Sequence, residues 1–499
     1  MKYLNKKFLI VLAALIGSIA FTGCKKSYLD INRDPNRVTD DNITPELIFP
    51  RAAHATGARQ GGNPFFINDW MGYWSPSGSF ALDQTSTTYN IDFNYGDGTW
   101  QAQYDALFDL HQVKVKALAK GDSVLAGASM ILSARLFQDL VDVFGDVPYT
   151  QAFQSDQIPQ PAYDKAVDIY ASLQRSLDTA INFMKLTKRS TFNTVDIVNG
   201  GNQTKWIKFA NTLKLRLLIR QSEVSGFNPS AEIAKIISNG GVLHAGETVS
   251  VNPGYANDNN KQSPFYANFG LTPTGADASP ATRANAYFVQ LLNSTADPRV
   301  NRYFKAPPAG GAITGTTFGA NTGNADGNHS SPMGPGLAGS ATQNQWIFTS
   351  FESMFLEAEA IARGWMPGNA QTAYENAVTE SFVWLGVPNA VAAAANYMTN
   401  APIANWTTNA GTTVASKVKF IAYQKYIALA GTDPIEAWSD LRRLNMIPNT
   451  GYLSVNPGRG SHGVPVRLLY PQSEYTTNGT NVKAVQPVDQ FTTKIFWQP

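Results

Sequence analysis

The sequence predicts a mainly α-helical fold of paired helices, with long loops and a few short strands. Apolar residues recur with a period of 3.6 in most segments, and glycine or proline stop signals follow several of these segments. Strand patterns are short and scattered, as at 85–93 and 464–470. The chain has 499 residues, of which 43% are hydrophobic and 15% charged, so it can bury a sizeable core.

The N-terminal segment predicts export and a lipid anchor. Residues 1–23 combine a basic start with an apolar run over 8–21, which is shorter than the about 20 residues that cross a membrane but typical of a secretory signal. The chain's one cysteine, Cys24, follows a Thr-Gly pair and resembles the lipidation site of bacterial lipoproteins. We predict a lipoprotein signal peptide over 1–23 and a lipid-anchored tether over 24–45. An ordinary signal peptide with a chance cysteine is the alternative.

Helical patterns follow in order along the chain. The first helix is predicted from Pro45 to about Arg59, because proline suits the first turn of a helix. The helix over 123–143 ends at Gly145, a residue type that terminates helices, and in the segment 344–364 the apolar residues share one helix face. Further helices are predicted over 99–119, 163–186, 203–223, 229–239, 282–293, 370–386, 413–430 and 433–444.

Two long loops interrupt the helices, over 247–281 and 305–343. Both are rich in Gly, Asn, Pro, Ser and Thr, and both contain aromatic residues. Loops longer than about 12–15 residues in a compact protein are usually functional or disordered, and the aromatic content favours ordered binding loops. We predict a single helical domain over 46–499 with these loops on its ligand-binding face.

Motifs of enzymes, metal sites and nucleic-acid binding are missing from the sequence. There is no HExxH, Walker lysine loop or Gly-x-Ser-x-Gly, and the five histidines lie far apart without ligand spacing. The G-x-G-x-x-G match at 458–463 lacks a buried strand before it and a helix after it. The formal net charge is only +2. We therefore predict no catalytic residues, no cofactor, no metal and no nucleic-acid partner.

One pair of carboxylates leaves an enzymatic alternative open. Glu352 and Glu359 are seven residues apart on one helix face, and two carboxylates can carry out glycoside hydrolysis. We favour a structural role, in which Glu359 is buried and paired with Arg442 or Arg443, because a buried carboxylate persists only when it is paired.

Aromatic residues are the candidate ligand-binding groups. Aromatic faces beside amide and carboxylate side chains suit sugars or peptides, because C–H groups stack on the ring and hydroxyls meet the polar groups. The alternative is that these aromatic residues only pack helices. The predicted ligand-binding residues are Trp70, Tyr73, Trp74, Tyr89, Tyr266 and Phe269.

Several segments, in this order along the chain, resemble one known family. They are YLDIN at 28–32, DPN at 34–36, FQDL at 137–140, FGDVPY at 144–149, PAYDKAVDIYASLQRSLD at 161–178, FLEAEA at 355–360, GW at 364–365, QKYIAL at 424–429, EAW at 436–438, DLRR at 440–443, PVR at 465–467 and YP at 470–471. The set resembles the SusD/RagB family of nutrient-binding outer-membrane lipoproteins of Bacteroidota, over nearly the whole chain.

The resemblance implies both a fold and a role. It implies four tetratricopeptide-like helical hairpins as a scaffold, with a loop-rich face for ligand. It also implies a lipid-anchored protein on the exterior of the outer membrane that captures an oligosaccharide or peptide without chemistry. The partner implied is a SusC-like TonB-dependent transporter, which receives the nutrient.

Two other classes of function stay open at this point. The first is a surface glycoside hydrolase that uses Glu352 and Glu359. The second is a scaffold whose tetratricopeptide-like hairpins bind a protein partner and no nutrient.

Overall fold

A computed structural model describes residues 43–62 and 66–499 of the chain. The predicted signal peptide over 1–23, the lipidation of Cys24 and the tether as far as residue 42 lie outside the described residues. From Pro45 to Pro499 the chain forms one compact unit.

Helices dominate the first half of the described chain. They are α1 (Pro45–Gly62), α2 (Phe66–Trp70), α3 (Gln84–Thr88), α4 (Asp97–Ala119), α5 (Ser123–Phe144), α6 (Ala166–Met184), α7 (Phe192–Val195), α8 (Gln203–Arg220) and α9 (Ser230–Ser238). The long helices α4, α5, α6 and α8 pack on one another in sequence order, as hairpin repeats do.

The second half alternates long loops with further helices. They are α10 (Pro264–Phe269), α11 (Ala286–Ser294), α12 (Val300–Tyr303), α13 (Ser350–Ala362), α14 (Ala370–Trp384), α15 (Ala390–Asn400), α16 (Trp406–Asn409), α17 (Val414–Ala428), α18 (Pro434–Leu444), α19 (Gln472–Thr477) and α20 (Gly479–Ala484). Here α13 packs against α14 and α17, and α14 against α15.

Two small antiparallel sheets join distant parts of the chain. Strand β1 (Trp74–Pro76) pairs with β3 (Thr282–Ala284), and β2 (Val249–Val251) pairs with β4 (Gln345–Phe348). In the first sheet Ser75 lies opposite Arg283. This pairing brings the segment after α2 onto the end of the first long loop.

Helix α5 is the central helix of the core. Asp122 accepts a hydrogen bond from the Leu125 amide at 3.1 Å and so caps its N-terminus, and the chain leaves the helix at Gly145 with φ 81°. Among the described helices it alone has the length and hydropathy to cross a membrane. Of its most apolar stretch, 18 residues long, 89% is buried inside the protein. Its apolar character therefore fits a core helix.

A buried ion-pair network lies at the centre of the helical core. Glu436 on α18, with no exposed surface, accepts hydrogen bonds from Arg216 at 2.8 Å, Arg220 at 2.6 Å and Lys425 at 2.7 Å. Burial opposes its ionisation, but these three cations hold the pKa of Glu436 well below its ordinary value. The network links α8, α17 and α18, whose sequences carry these charges.

The predicted helical fold is confirmed, with corrections at several boundaries. The helices predicted over 282–293 and 344–364 begin later than expected, because their first residues form the strands β3 and β4. Each of these strands pairs with a strand that is distant in the sequence. The strand expected at 85–93 is also wrong, because Asp83 caps the short helix α3 there. No strand lies at 464–470, and the alanine-rich helix α15 had no sequence prediction.

Candidate ligand-binding site

A pocket of about 290 Å³ opens where the β1–β3 sheet meets the segments around α2 and α3. Its aromatic walls are Phe66, Tyr95 and Phe318. Its polar walls are Asp69, Ser75, Asp83, Ser86, Thr87 and Thr282. The pocket thus combines ring faces with hydroxyl and carboxyl groups, as binding sites for small polar molecules do.

The aromatic walls are held by rings packed behind them. Phe66 and Tyr95 meet edge to face with centroids 4.6 Å apart, and Trp70 stacks on Tyr95 at 5.9 Å with its ring plane nearly parallel. Behind Phe318 lies Tyr89, with centroids 6.3 Å apart. Such packing holds each wall ring in one orientation, so a ligand meets a preformed surface.

A buried arginine holds together, by hydrogen bonds, the loops that form one side of the pocket. The Arg283 guanidinium donates to the carbonyls of Gly327 (2.8 Å), Ser279 (2.7 Å) and Thr282 (2.8 Å), and to the Asp277 carboxylate (2.8 Å). Only 1% of Arg283 is exposed. One planar group thus ties together two loop segments that have little secondary structure of their own.

A second set of backbone contacts fixes the loop after β1. The Ser77 amide donates to the Ala281 carbonyl, and the Gly78 amide donates to the Ala325 carbonyl, each at 2.8 Å. Gly78 is required by space, because a Cβ there would overlap the carbonyl oxygen of Asn324. The loops at the pocket rim are therefore packed backbone against backbone.

Asp69 is the most perturbed carboxyl group in the pocket. Burial, with a smaller effect from the charge of Asp83, raises the pKa of Asp69 to about 8. Asp69 makes no ion pair with any residue that the structure describes. Asp83 accepts hydrogen bonds from the Thr85 and Ser86 amides at the N-terminus of α3.

Two hydroxyls in the wall, those of Ser75 and Ser86, lack a hydrogen-bond partner among the described residues. The Ser75 side chain is only 1% exposed, and its Oγ has no partner among the described residues. A buried hydroxyl without a partner costs free energy, so such groups are found where a ligand or water completes the hydrogen bond. Ser75 is therefore a candidate ligand contact.

Two of the predicted ligand-binding residues, Trp70 and Tyr89, support this pocket from behind. Neither has exposed surface, and the Tyr89 hydroxyl accepts a hydrogen bond from the Ser454 amide at 2.9 Å. A stacking role requires an exposed ring face, which both lack. The aromatic residues that line the pocket are Phe66, Tyr95 and Phe318, and none of them was among the predicted ligand-binding residues.

Three more of the predicted residues lie in the core away from the pocket. Tyr73 stacks on Tyr426 and donates its hydroxyl hydrogen to that residue's carbonyl at 2.5 Å. Trp74 and Phe269 pack together with centroids 4.8 Å apart, at 1% and 6% exposure. In this structure these three residues form part of the framework, because tertiary packing covers their rings.

Tyr266 is the one predicted residue that keeps appreciable exposed surface. It lies on α10 and is half-buried, and it does not line the pocket described above. Its role in ligand binding stays a prediction.

The sequence predictions missed every residue that lines the pocket, among them Asp69, Ser75 and Tyr95. A serine or an aspartate in a polar segment carries no pattern that separates a ligand contact from a turn residue. Tyr95 carried a weak signal, because it belongs to the same aromatic-rich stretch as Trp70 and Tyr89. Its exposure depends on α2 and α3 packing beneath it, which periodicity does not show.

The carboxylates of the hydrolase alternative lie in the core. Arg443 binds both oxygens of Glu359, at 2.6 and 2.8 Å, which confirms the predicted pairing. Burial raises the pKa of Glu352 well above its ordinary value, and the nearby charge of Asp433 adds to this effect. Each glutamate is 1% exposed, so neither reaches a substrate. This pair does not form a glycosidase site.

Two larger clefts also lie on the described surface. An open groove of about 800 Å³ runs beside α13 and α14, and a cleft of about 730 Å³ lies between α1 and the loop near Tyr255. In the second cleft Arg51 and Lys261 already pair with carboxylates at 3.5 and 2.8 Å. No cluster of three or more metal-ligating side chains occurs among residues 43–62 and 66–499.

Fold and pocket together define a class of protein: a helical-repeat scaffold that presents a preformed loop-built pocket for a small polar ligand. The chain belongs to the SusD-like family, whose sequence profile, described as starch-binding and associating with the outer membrane, matches residues 35–471. The predicted family resemblance is therefore confirmed. The family description supports a carbohydrate-binding role at the outer membrane.

Solved structures share the same fold. A chitin-binding SusD homologue from Flavobacterium johnsoniae is 23% identical, with a TM-score of 0.73 over 90% of this chain and 98% of its own. A SusD/RagB family protein from Bacteroides thetaiotaomicron is 19% identical, with a TM-score of 0.75 over 91% and 99%. A SusD homologue from Bacteroides fragilis is 20% identical, with a TM-score of 0.71 over 92% and 99%. A comparison with curated proteins finds no significant match.

Proposed function

We propose that this protein is a lipid-anchored outer-membrane protein that captures oligosaccharides in the pocket beside the β1–β3 sheet and delivers them to a TonB-dependent transporter, without chemistry. The observation that carries the proposal is the pocket itself, where aromatic walls and polar groups meet on the loop face of a helical scaffold. The family description and the chitin-binding relative support carbohydrate as the ligand class.

The chemistry of the pocket suits a sugar ring. The apolar C–H face of a pyranose packs on aromatic rings such as Tyr95, while its hydroxyls need donors and acceptors such as Ser75 and Asp69. A volume of about 290 Å³ is at the lower limit of ordinary ligand pockets, so it accommodates part of a chain and leaves the rest outside. An oligosaccharide that extends from the pocket can then pass to a transporter.

The lipid anchor and the partner complete the proposal. Acylation of Cys24 would hold the protein at the membrane surface, where several acyl chains at about 0.8 kcal/mol per buried CH₂ give stable attachment. A SusC-like TonB-dependent transporter is the partner that this arrangement serves. A peptide in place of an oligosaccharide is the alternative nutrient.

Binding measurements on the full-length, detergent-extracted protein test the ligand class. We expect calorimetry against a panel of oligosaccharides and peptides to find an oligosaccharide whose affinity falls by about 1–3 kcal/mol in Tyr95→Ala, because the ring supplies the stacking surface. Phe108→Ala is the control, since it removes a 45% exposed ring on α4 outside the pocket. Equal losses in the two variants, binding of peptides alone, or hydrolysis of a bound glycan would contradict the proposal.

Extraction from the membrane in mild detergent tests the partnership. We expect a large β-barrel transporter to co-purify with the tagged full-length protein. A clean monomer under the same conditions would contradict the proposed partnership but not carbohydrate binding.

A further inference from the structure

Two acidic side chains line the pocket without a cationic partner. Two of its wall residues, Asp69 and Asp83, are carboxylic acids, and no lysine, arginine or histidine lines the pocket among the described residues. The guanidinium group of Arg283 already donates hydrogen bonds to the Asp277 carboxylate and to loop carbonyls. The acids of the pocket therefore have no counter-charge of their own.

Asp69 lies where ionisation of its carboxyl group is unfavourable in the empty pocket. Burial and the charge of Asp83 raise the pKa of Asp69, so the free protein keeps this carboxyl mostly protonated at neutral pH. A cation bound beside Asp69 would stabilise the ionised form of its carboxyl group. Cation binding would therefore release the proton that Asp69 holds in the free protein.

Two further features favour an organic cation. Of the aromatic residues that line the pocket, Phe66 and Tyr95 keep exposed surface, and aromatic faces attract ammonium groups as well as C–H surfaces. The buried Ser75 hydroxyl has no partner and can accept a hydrogen bond from an N–H group. A bare metal ion would instead need several oxygen ligands at short distance, which a ring-lined pocket does not offer.

We propose that the pocket selects oligosaccharides with free, protonated amines, that is, glucosamine-type amino sugars, over neutral or N-acetylated ones. Asp69 and Asp83 would bind the ammonium group, Ser75 would accept one of its hydrogens, and the aromatic walls would pack on the sugar ring. This inference rests on the proposed function, because it names the substrate class of the same pocket.

The test compares two hexasaccharides, of glucosamine and of N-acetylglucosamine, by calorimetry on the full-length protein in detergent. Measurements near pH 6 keep an amine of ordinary pKa protonated, and two buffers with different protonation enthalpies report proton release. We expect the glucosamine hexamer to bind about tenfold more tightly or better, with release of close to one proton per site.

Isosteric variants assign the effect to the pocket. In Asp69→Asn the preference should fall to less than about threefold and the proton release should disappear. Asp83→Asn should also reduce the preference for the glucosamine hexamer, and its asparagine can still cap α3. This variant replaces Asp69→Asn in the test if Asp69→Asn fails to fold. Asp258→Asn removes the same charge from an exposed ion pair with Lys261 and should change neither measurement.

Each other result overturns the inference in a distinguishable way. If the N-acetylated hexamer or a neutral glucan binds as tightly as the glucosamine hexamer, the inference fails and the proposed function stands. A preference that persists in both aspartate variants also overturns it. If neither hexamer nor any oligosaccharide of the panel binds, the inference and the carbohydrate proposal both fail. If only a lysine oligopeptide binds, the nutrient is a peptide.

Discussion

At the scale of single residues, the core contains two buried glutamates with opposite electrostatics. Glu436 accepts hydrogen bonds from three cationic side chains. Among the described residues, only Arg216 places a cationic nitrogen within 4 Å of the Glu352 carboxyl, at 3.4 Å, and Glu352 Oε1 lacks a hydrogen-bond partner. The pKa of Glu436 is lowered and that of Glu352 is raised. Burial alone therefore does not determine the charge state of a core carboxyl group.

Neutralising these glutamates should have unequal effects on stability. We expect Glu436→Gln to lower the free energy of unfolding by about 3–5 kcal/mol, because three buried cations lose their shared carboxylate. Glu352→Gln should leave it unchanged or raise it, since the native fold keeps protonated a carboxyl that ionises in the unfolded chain at neutral pH, and glutamine removes that cost. Denaturant unfolding at neutral pH measures both values, and similar losses in the two variants would contradict this assignment.

The same two residues predict a pH dependence. Glu436 has a lowered native pKa, so its contribution to stability is present above its unfolded-state pKa of about 4.3 and is lost as the pH falls below that value. Glu352 has a raised native pKa, so its contribution is complete below about pH 4.3 and decreases as the pH rises through neutrality. Unfolding free energies of Glu352→Gln should therefore rise relative to the native sequence between pH 5 and 8. A constant difference across that range would exclude a protonated Glu352.

At the scale of elements, the pocket depends on loops that pack by backbone contact. The segment after β1 and the loop near Asn324 approach so closely that only glycine fits at position 78. Arg283 then fixes the loop ends to β3. The loop face around the pocket is thus irregular in secondary structure but closely packed.

Gly78→Ala should weaken ligand binding more than it weakens the fold. The added methyl group would separate the two loops, and we expect about a tenfold loss of oligosaccharide affinity with little change in the melting temperature. Gly98→Ala is the matched control, because a Cβ there meets no atom within 4 Å and alanine suits a helix. Calorimetry and thermal unfolding on both variants check this, and unchanged affinity in Gly78→Ala would argue against the loop contact as part of the site.

At the scale of the whole molecule, membrane attachment is predicted to depend on one residue outside the described part of the chain. The apolar helix α5 is 89% buried inside the protein. We therefore expect Cys24→Ser to abolish incorporation of labelled fatty acid and to move the protein from the membrane fraction to the medium or periplasm. Ligand affinity should be unchanged. Retention of the variant in the membrane fraction would show that another part of the chain attaches it.

Helix boundaries could be read from the sequence because their causes are local. The end of α5 at Gly145 was predictable from residue types within one turn. The strands β3 and β4 were not, because their partners lie about 200 and 95 residues away in the chain, and a short apolar run has no fixed period of its own. The ion pair of Glu359 with Arg443 was predictable, since a buried carboxylate needs a cation.

The residues that line the pocket were not predictable one by one. Trp70 and Tyr89 are aromatic residues in a polar stretch, which indicated a site nearby. That Tyr95 rather than Trp70 faces the pocket is a result of packing between separate segments. A raised pKa at Asp69 likewise depends on burial, which no local pattern reports.

The sequence by itself determined the helical class, most helix boundaries, the family and the prediction of a lipid anchor at Cys24, because each of these depends on neighbouring residues or on ordered motifs. The tertiary structure decided which aromatic rings are framework and which line a pocket. It also decided that Asp69 lies in that pocket without a cation. Periodicity assigns a residue to a face of an element, whereas only the packed chain shows what covers that face.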